Sequence, residues 1–390
     1  MRMTKARPLL RERHKHEHAR VTYVELFFDL VFVFAVTQLS HAVLHHPTPL
    51  GVLHAAMLLA AVWWAWVCTS WITNWLDPEQ VPVRLMMFLL MAAGLVLSAA
   101  IPNAFEGGGL AFAGAYAFIQ VGRSLFFLIS TWREAAHRAN VGRITAWVTL
   151  SAAFWIAGGL LHDEARLIAW AIAIGIDYLS ALVGFWTPGL GRSATSDWVV
   201  EGGHLAERTA LFTIIALGES IIVTGATVVG MPWTLETVAA FATSLVGSIA
   251  MWWIYFSFTA EAASEAIAES EDPGAIARLA YTYSHLIPIA GIIVAAVGDE
   301  WVIHHALGHT DLKTAAAVIG GPALFLLGVL VFKLAVFKRW PLTRLVGLGL
   351  LAALVPIAGH VSPLVLSMLS TLALVVVGAW ETVLVSRSGR

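Results

Sequence analysis

The stretch Arg20–His46, RVTYVELFFDLVFVFAVTQLSHAVLHH, decides the fold class of this chain. After Arg20 it is apolar for longer than the roughly 20 residues a helix needs to cross a hydrocarbon core, yet it carries Glu25 and Asp29. Four residues apart, the two carboxylates share one helix face with Phe32, Val36 and Ser40. A charge inside a bilayer costs about 2.5–3.5 kcal/mol even on insertion scales, so both acids are expected to face the protein interior and find partners.

Composition generalises that reading. Hydrophobic residues make up 59% of the 390 and charged residues 12%, well outside the soluble balance. The chain reads as an all-α integral membrane protein. A formal net charge of -2, with no basic groove, gives no reason to expect a nucleic-acid partner. Cys68 is the single cysteine, which excludes an intramolecular disulfide and the Cys-rich metal motifs. The basic first twenty residues lead into a long apolar span without a small-residue cleavage site, as in an uncleaved signal anchor.

Apolar runs bounded by Pro, Gly or charge predict about twelve transmembrane helices, near 21-43, 51-75, 83-101, 109-131, 143-161, 166-187, 205-227, 234-258, 275-298, 314-337, 341-359 and 362-385. Positive residues stay on the cytoplasmic side, and with the N-terminus inside the inner segments hold 20 Lys and Arg. The outer segments hold only Arg166 and Lys313, and Arg123 falls inside a helix. Both termini are therefore expected to be cytoplasmic. Cutting the chain near residue 200 aligns Glu25 with Glu207, Trp63-Trp64 with Trp252-Trp253, and Asp77-Pro78 with Asp272-Pro273. This predicts a basic tail at 1-20, a six-helix half at 21-187, a linker at 188-204 and a second half at 205-390, the halves being repeats in parallel orientation.

Two blocks, ELFFDLVFVFAVTQLSH in the first helix and HLAERTALFTIIALGES at His204–Ser220, resemble the signatures of the bacterial low temperature requirement protein A (LtrA) family. The resemblance spans nearly the whole chain and implies a multi-pass protein of the cell (inner) membrane. Phe28-Asp29 is also similar in placement to the FSD-type motif of the lysosomal potassium channel family, which has six-helix repeats, although the serine between Phe and Asp is missing here.

The intramembrane charges are the candidate sites for a small solute or ion: Glu25, Asp29, Arg123, Asp177, Arg208 and Glu219. Arg123, in VGRSLFF, is expected to pair with Glu25 or Asp29 and to have Asp177 as its remaining partner. Alternatively, or in addition, the acids line a watery path that binds a cation or proton. Glu219, between Gly218 and Ser220, is read as a buried titratable group three turns deeper than Glu207 and Arg208. His285 precedes Pro288, where a helix break could present backbone carbonyls to a cavity. Nine of the 15 histidines fall on the predicted outer side, and His304, His305 and His309 with Asp299 or Glu300 could form a metal or pH-sensing site, without a recognised ligand spacing. His14, His16 and His18 are weaker candidates, and the acidic run from Glu261 to Pro273 reads as a solvated helix extension.

No P-loop, HExxH or dinucleotide-binding motif is present, and no cofactor is expected. The residues point to a secondary transporter or ion-translocating carrier, with a cation channel or a membrane-embedded lipid-acting enzyme as alternatives. Its partners are the lipid bilayer and the small solute or ion.

Overall fold

In the computed structural model, residues 9–11, 21–193, 202–256, 266–267, 270 and 272–388 are described. The tail histidines and most of the Glu261–Pro273 run lie outside them. Twelve helices among the described residues are long and apolar enough to cross a membrane: α1 Tyr23–His45, α2 Pro49–Thr73, α3 Val81–Asn103, α4 Gly109–Ser130, α5 His137–Leu160, α6 Asp163–Leu182, α7 Gly202–Val228, α8 Leu235–Phe256, α9 Gly274–His304, α10 Leu312–Phe337, α11 Leu342–His360 and α12 Pro363–Arg387. Most of the predicted bounds lie within a few residues of these. Large apolar side chains such as Leu89, Ile168 and Leu372 stand exposed along the helices, as lipid-facing surface requires.

The chain forms two compact units. The first comprises the described residues of Met1–Leu39 and Leu53–Arg208, the second Ser40–Val52 and Thr209–Arg390. The core of the first is aromatic. Trp155 and Trp170 lie 5.3 Å apart between ring centroids, Tyr116 packs at a tilt 4.6 Å from Trp155, and Phe112 packs on both tryptophans. Hydrogen bonding fixes the rings as well: the Trp170 indole N–H donates to the Trp155 carbonyl at 3.0 Å.

The second unit is organised by a close crossing of α9 and α10. A Cβ added at Gly321 would lie 2.5 Å from the Ala295 nitrogen, and one at Gly291 would lie 2.4 Å from that of Phe325. Small residues let two backbones approach where lipid gives no hydrophobic drive to associate. Pro322 sits inside α10 without ending it.

Two helices contain π turns. In α4, Phe118–Gly122 is a π turn immediately before Arg123. In α9, Arg278–Ser284 is a π stretch ahead of Pro288. Proline has no N–H to offer the carbonyl four residues back, and its ring collides with that carbonyl in a regular helix, so local rewinding is the expected response.

Candidate buried-charge site

The first unit holds a buried cluster built from two four-residue spacings. Glu25 and Asp29 lie about 6 Å apart along one face of α1, and His204 and Arg208 repeat that spacing at the start of α7. Each carboxylate of one pair therefore meets a donor of the other. Arg208 donates from Nη1 to Glu25 Oε1 at 3.1 Å and from Nη2 to Asp29 Oδ1 at 2.5 Å. All three side chains are inaccessible to solvent.

A third basic group comes from the N-terminal segment. Leu10 bridges Leu76 in antiparallel fashion, supported by bonds from the Arg11 N–H to the Trp75 carbonyl and from the Asp77 N–H to the Leu9 carbonyl. This brings Arg11 over the end of α2, where Nε donates to the Thr73 carbonyl at 2.8 Å and Nη2 to Glu25 Oε2 at 3.0 Å. The expected basic tail thus places one of its arginines in the site.

The two carboxylates differ in how fully they are satisfied. Glu25 Oε2 accepts from Arg11 and from the N–H and hydroxyl of Thr22, at 2.9–3.0 Å, while Oε1 accepts from Arg208 and from His204 Nε2 at 2.9 Å. Five donors fill the acceptor capacity of a carboxylate. The shorter of the contacts at His204 Nε2, 2.9 Å to Glu25 Oε1 against 3.3 Å to Arg11 Nη2, is satisfied when Nε2 carries the proton, and Nδ1 then accepts from Asn74 Nδ2 at 3.3 Å. Asp29 is held on one side only. Its Oδ1 takes Arg208 and the Trp66 indole N–H, the latter at 2.7 Å, while Oδ2 is buried with no hydrogen-bond partner among the described residues. The Arg208 guanidinium also lies 5.7 Å from the centroid of the Trp66 ring.

Arg123 is not the partner of these acids. It reaches from the π turn of α4 to the Ala65 carbonyl at 3.0 Å, the Thr69 hydroxyl at 2.8 Å, and Gln120 Oε1. Nor does it meet Asp177 directly. The link runs through neutral side chains: Gln120 donates to the Tyr116 hydroxyl at 3.0 Å, and Tyr116 donates to Asp177 Oδ2 at 2.7 Å, with Trp155 Nε1 completing that oxygen at 3.1 Å. The π turn widens α4 where Gln120 and Arg123 need room to turn inward. Depth along a helix does not fix azimuth, and azimuth decides which groups Arg123 meets.

In the second unit Glu219 is half-buried on α7, more open than the enclosed position expected of it. His285 is buried with both ring nitrogens used. Nδ1 donates to the Ala280 carbonyl at 2.7 Å, so Nε2 accepts from the Tyr255 hydroxyl at 2.8 Å. The ring and the Ser284 hydroxyl thereby both donate to the Ala280 carbonyl within the π stretch. A further charged group escaped notice as a set: Glu381 on α12 is shared by Lys333 of α10 and by Arg344 of α11, the latter at 2.5 Å. Among the described residues no group of three or more His, Cys, Asp and Glu is placed to hold a metal ion.

The sequence could have disclosed more of the first cluster. His204 and Arg208 stand four residues apart in HLAERTALF, on one face, as Glu25 and Asp29 do in ELFFD. Trp66, Asn74 and Arg11 carried no comparable signal.

The model of the bacterial low temperature requirement A protein (LtrA) matches residues 20–379. A protein of Rhizobium meliloti (strain 1021) named "Uncharacterized protein RA0937" is 38% identical over 387 residues, covering 95% of this chain and 93% of that protein. No solved structure matches the chain. With its two signature blocks inside a match of that extent, this multi-pass membrane protein belongs to the bacterial LtrA family.

Proposed function

We propose that the protein is a secondary transporter that moves a small solute or ion across the cell (inner) membrane, with Asp29 as the carboxylate that couples proton or cation binding to movement. The observation that supports this most directly is the contrast between Glu25, which accepts five hydrogen bonds, and Asp29, whose Oδ2 has no hydrogen-bond partner among the described residues. A proton or small cation can attach at Oδ2 while the bonds of Oδ1 to Arg208 and Trp66 persist. Arg11 and Arg208 balance Glu25 and Asp29 when both acids are ionised; neutralising Asp29 leaves one positive charge in a buried site. That excess is a differential energy by which a bound proton biases one conformation over another. Glu219, half-buried in the second unit, is the other carboxylate proposed to bind a proton or cation.

In the same reading, the two six-helix halves are parallel repeats and both termini are cytoplasmic. The exceptions to the charge bias have local explanations. Arg166 is spent on four carbonyls, those of Gly158, Leu161, Ala104 and Glu106, at 2.6–3.1 Å. Lys313 lies over the Trp301 ring at 5.3 Å.

Purified protein in liposomes loaded with a pH-sensitive dye tests the proposal. Proton movement driven by a gradient of at least one member of a broad ion and solute panel is expected, and Asp29→Asn should abolish it while leaving the folded protein intact by size-exclusion chromatography. Absence of flux across the panel would refute transport. Passive cation flux without proton movement would favour a channel, and undiminished flux in Asp29→Asn would move the coupling site elsewhere.

A further inference from the structure

The second unit contains an open cavity of about 500 Å³ at the His45 end of α1, a volume typical of small-molecule sites. Its wall gathers four imidazoles from separate parts of the chain: His45, His304 and His305 at the ends of α1 and α9, and His309 in the loop that follows. Lys313 and Trp301 complete the polar and aromatic lining. The charged groups facing the imidazoles are Glu300, Asp311 and Lys313.

Asp311 is largely committed. Its Oδ1 accepts the Thr314 N–H at 2.9 Å as the N-cap of α10, and its Oδ2 lies 3.8 Å from Lys313 Nζ. With neutral imidazoles the wall presents one cation against two carboxylates. With protonated imidazoles it presents five cations against the same two, so the sign of the cavity reverses. Imidazole is the side chain whose ordinary titration falls within pH 5 to 8. A transition metal would instead need three or more ligands converging on one point, and no such group is formed among the described residues.

We infer that this cavity binds a small organic anion, a carboxylate held by imidazolium groups and by Lys313, which lies over the Trp301 ring, in acid but not in alkaline solution. The assignment concerns binding and does not depend on transport. An exposed unit charge about 4 Å from the ligand is worth about 1 kcal/mol in water, or roughly fivefold in affinity. Gaining two of the four imidazolium contacts therefore predicts at least about tenfold tighter binding in acid.

Isothermal titration of the full-length protein in detergent with succinate, at pH 5.5 and pH 8.0, measures this. The expected result is binding at pH 5.5 that weakens at least about tenfold at pH 8.0. It should be lost in the triple variant His304→Gln, His305→Gln, His309→Gln and weakened about fivefold in Lys313→Gln. All four side chains are exposed, so neither variant removes core packing. Equal affinity at both pH values, affinity unchanged in the triple variant, or no succinate binding would overturn the assignment. Tight binding of zinc chloride without succinate binding would do so in favour of a cation site.

Discussion

Replacing Arg208 with Met should destabilise the first unit because it strands one specific carboxylate. Without Arg208, Glu25 keeps Arg11, His204 and both Thr22 donors, whereas among the described residues Asp29 keeps only the Trp66 indole N–H. Breaking a buried ion pair by removing one partner costs about 3–5 kcal/mol, most of it the price of the charge left behind. Asp29→Asn alone forfeits a charge-assisted hydrogen bond, about 1.5–3 kcal/mol, while Arg208 still has Glu25 and the Thr73 hydroxyl at 3.0 Å. In the double variant no charge is stranded at position 29. The two substitutions should therefore fall short of additivity by about 2 kcal/mol. Unfolding in mixed micelles by titration with dodecyl sulfate, followed through tryptophan fluorescence, gives the four free energies of the cycle. A parallel cycle of Asp29→Asn with Arg123→Met is the control, since Arg123 donates to Ala65, Thr69 and Gln120 and not to Asp29. Additivity within about 0.5 kcal/mol for the Arg208 pair, or coupling that appears with Arg123 instead, would refute the assignment of partners.

Three further outcomes follow from local geometry. Gly321→Ala should lower the stability of the second unit by about 1–3 kcal/mol, because the new Cβ would lie 2.7 Å from the Ala295 Cα at the α9–α10 crossing; a variant as heat-resistant as the parent would mean that the crossing can open. Glu381→Gln leaves Lys333 and Arg344 facing one another buried and uncompensated, at a cost of about 3–5 kcal/mol, whereas Lys333→Met leaves the Arg344 pair intact and should cost less; the reverse order in the same micelle titration would contradict the sharing. Asp311 concerns pH. Slight burial would raise its carboxyl, but hydrogen bonds from the Thr314 side chain and backbone, with the charges of Lys313 and His305, hold it below the ordinary range. A depressed folded-state pKa stabilises the fold above the unfolded value near 3.9 and is lost as pH falls through the lower folded value. Asp311→Ala should therefore cost about 0.5–2 kcal/mol at neutral pH and progressively less below about pH 4, and a deficit that stays constant into acid would show that the cap is not electrostatic.

The helices were legible because one physical rule writes them. A span must be apolar and about 20 residues long, and only Pro, Gly and charge interrupt it. The partners of the buried charges were not legible to the same degree. The expectation that Glu25 and Asp29 would be paired rested on the cost of bare charge in lipid, and it holds. Which arginine pairs with them depended on how helices face one another, and hydropathy carries no information about that. Arg123 is buried at a suitable depth, but its direction is set by a π turn that no propensity announces. Asp177 reaches toward Arg123 only through Gln120 and Tyr116, two neutral side chains in a stretch otherwise read as apolar. Arg11 was assigned to the basic tail at 1-20, yet one bridge at Leu10 turns it inward.

The two acids that began the reading divide its two interpretations between them. A buried carboxylate that accepts five donors is stabilised in its charged form by every one of them, and any proton or solute it bound would have to displace some of those bonds. Glu25 is therefore the packing element that holds α1, α7 and the N-terminal segment together. Asp29, one turn further on, shares Arg208 with Glu25 and spends only Oδ1 on its neighbours. Neutralising Asp29 weakens its hold on Arg208 while Glu25 keeps that arginine in place, so the cluster can change charge without coming apart. A lone acid paired with Arg208 could not do this, because its neutral form would leave the buried arginine without a counterion. That is the physical argument for two carboxylates at a four-residue spacing, one anchoring the shared cation and the other, in the proposed transporter, exchanging its charge.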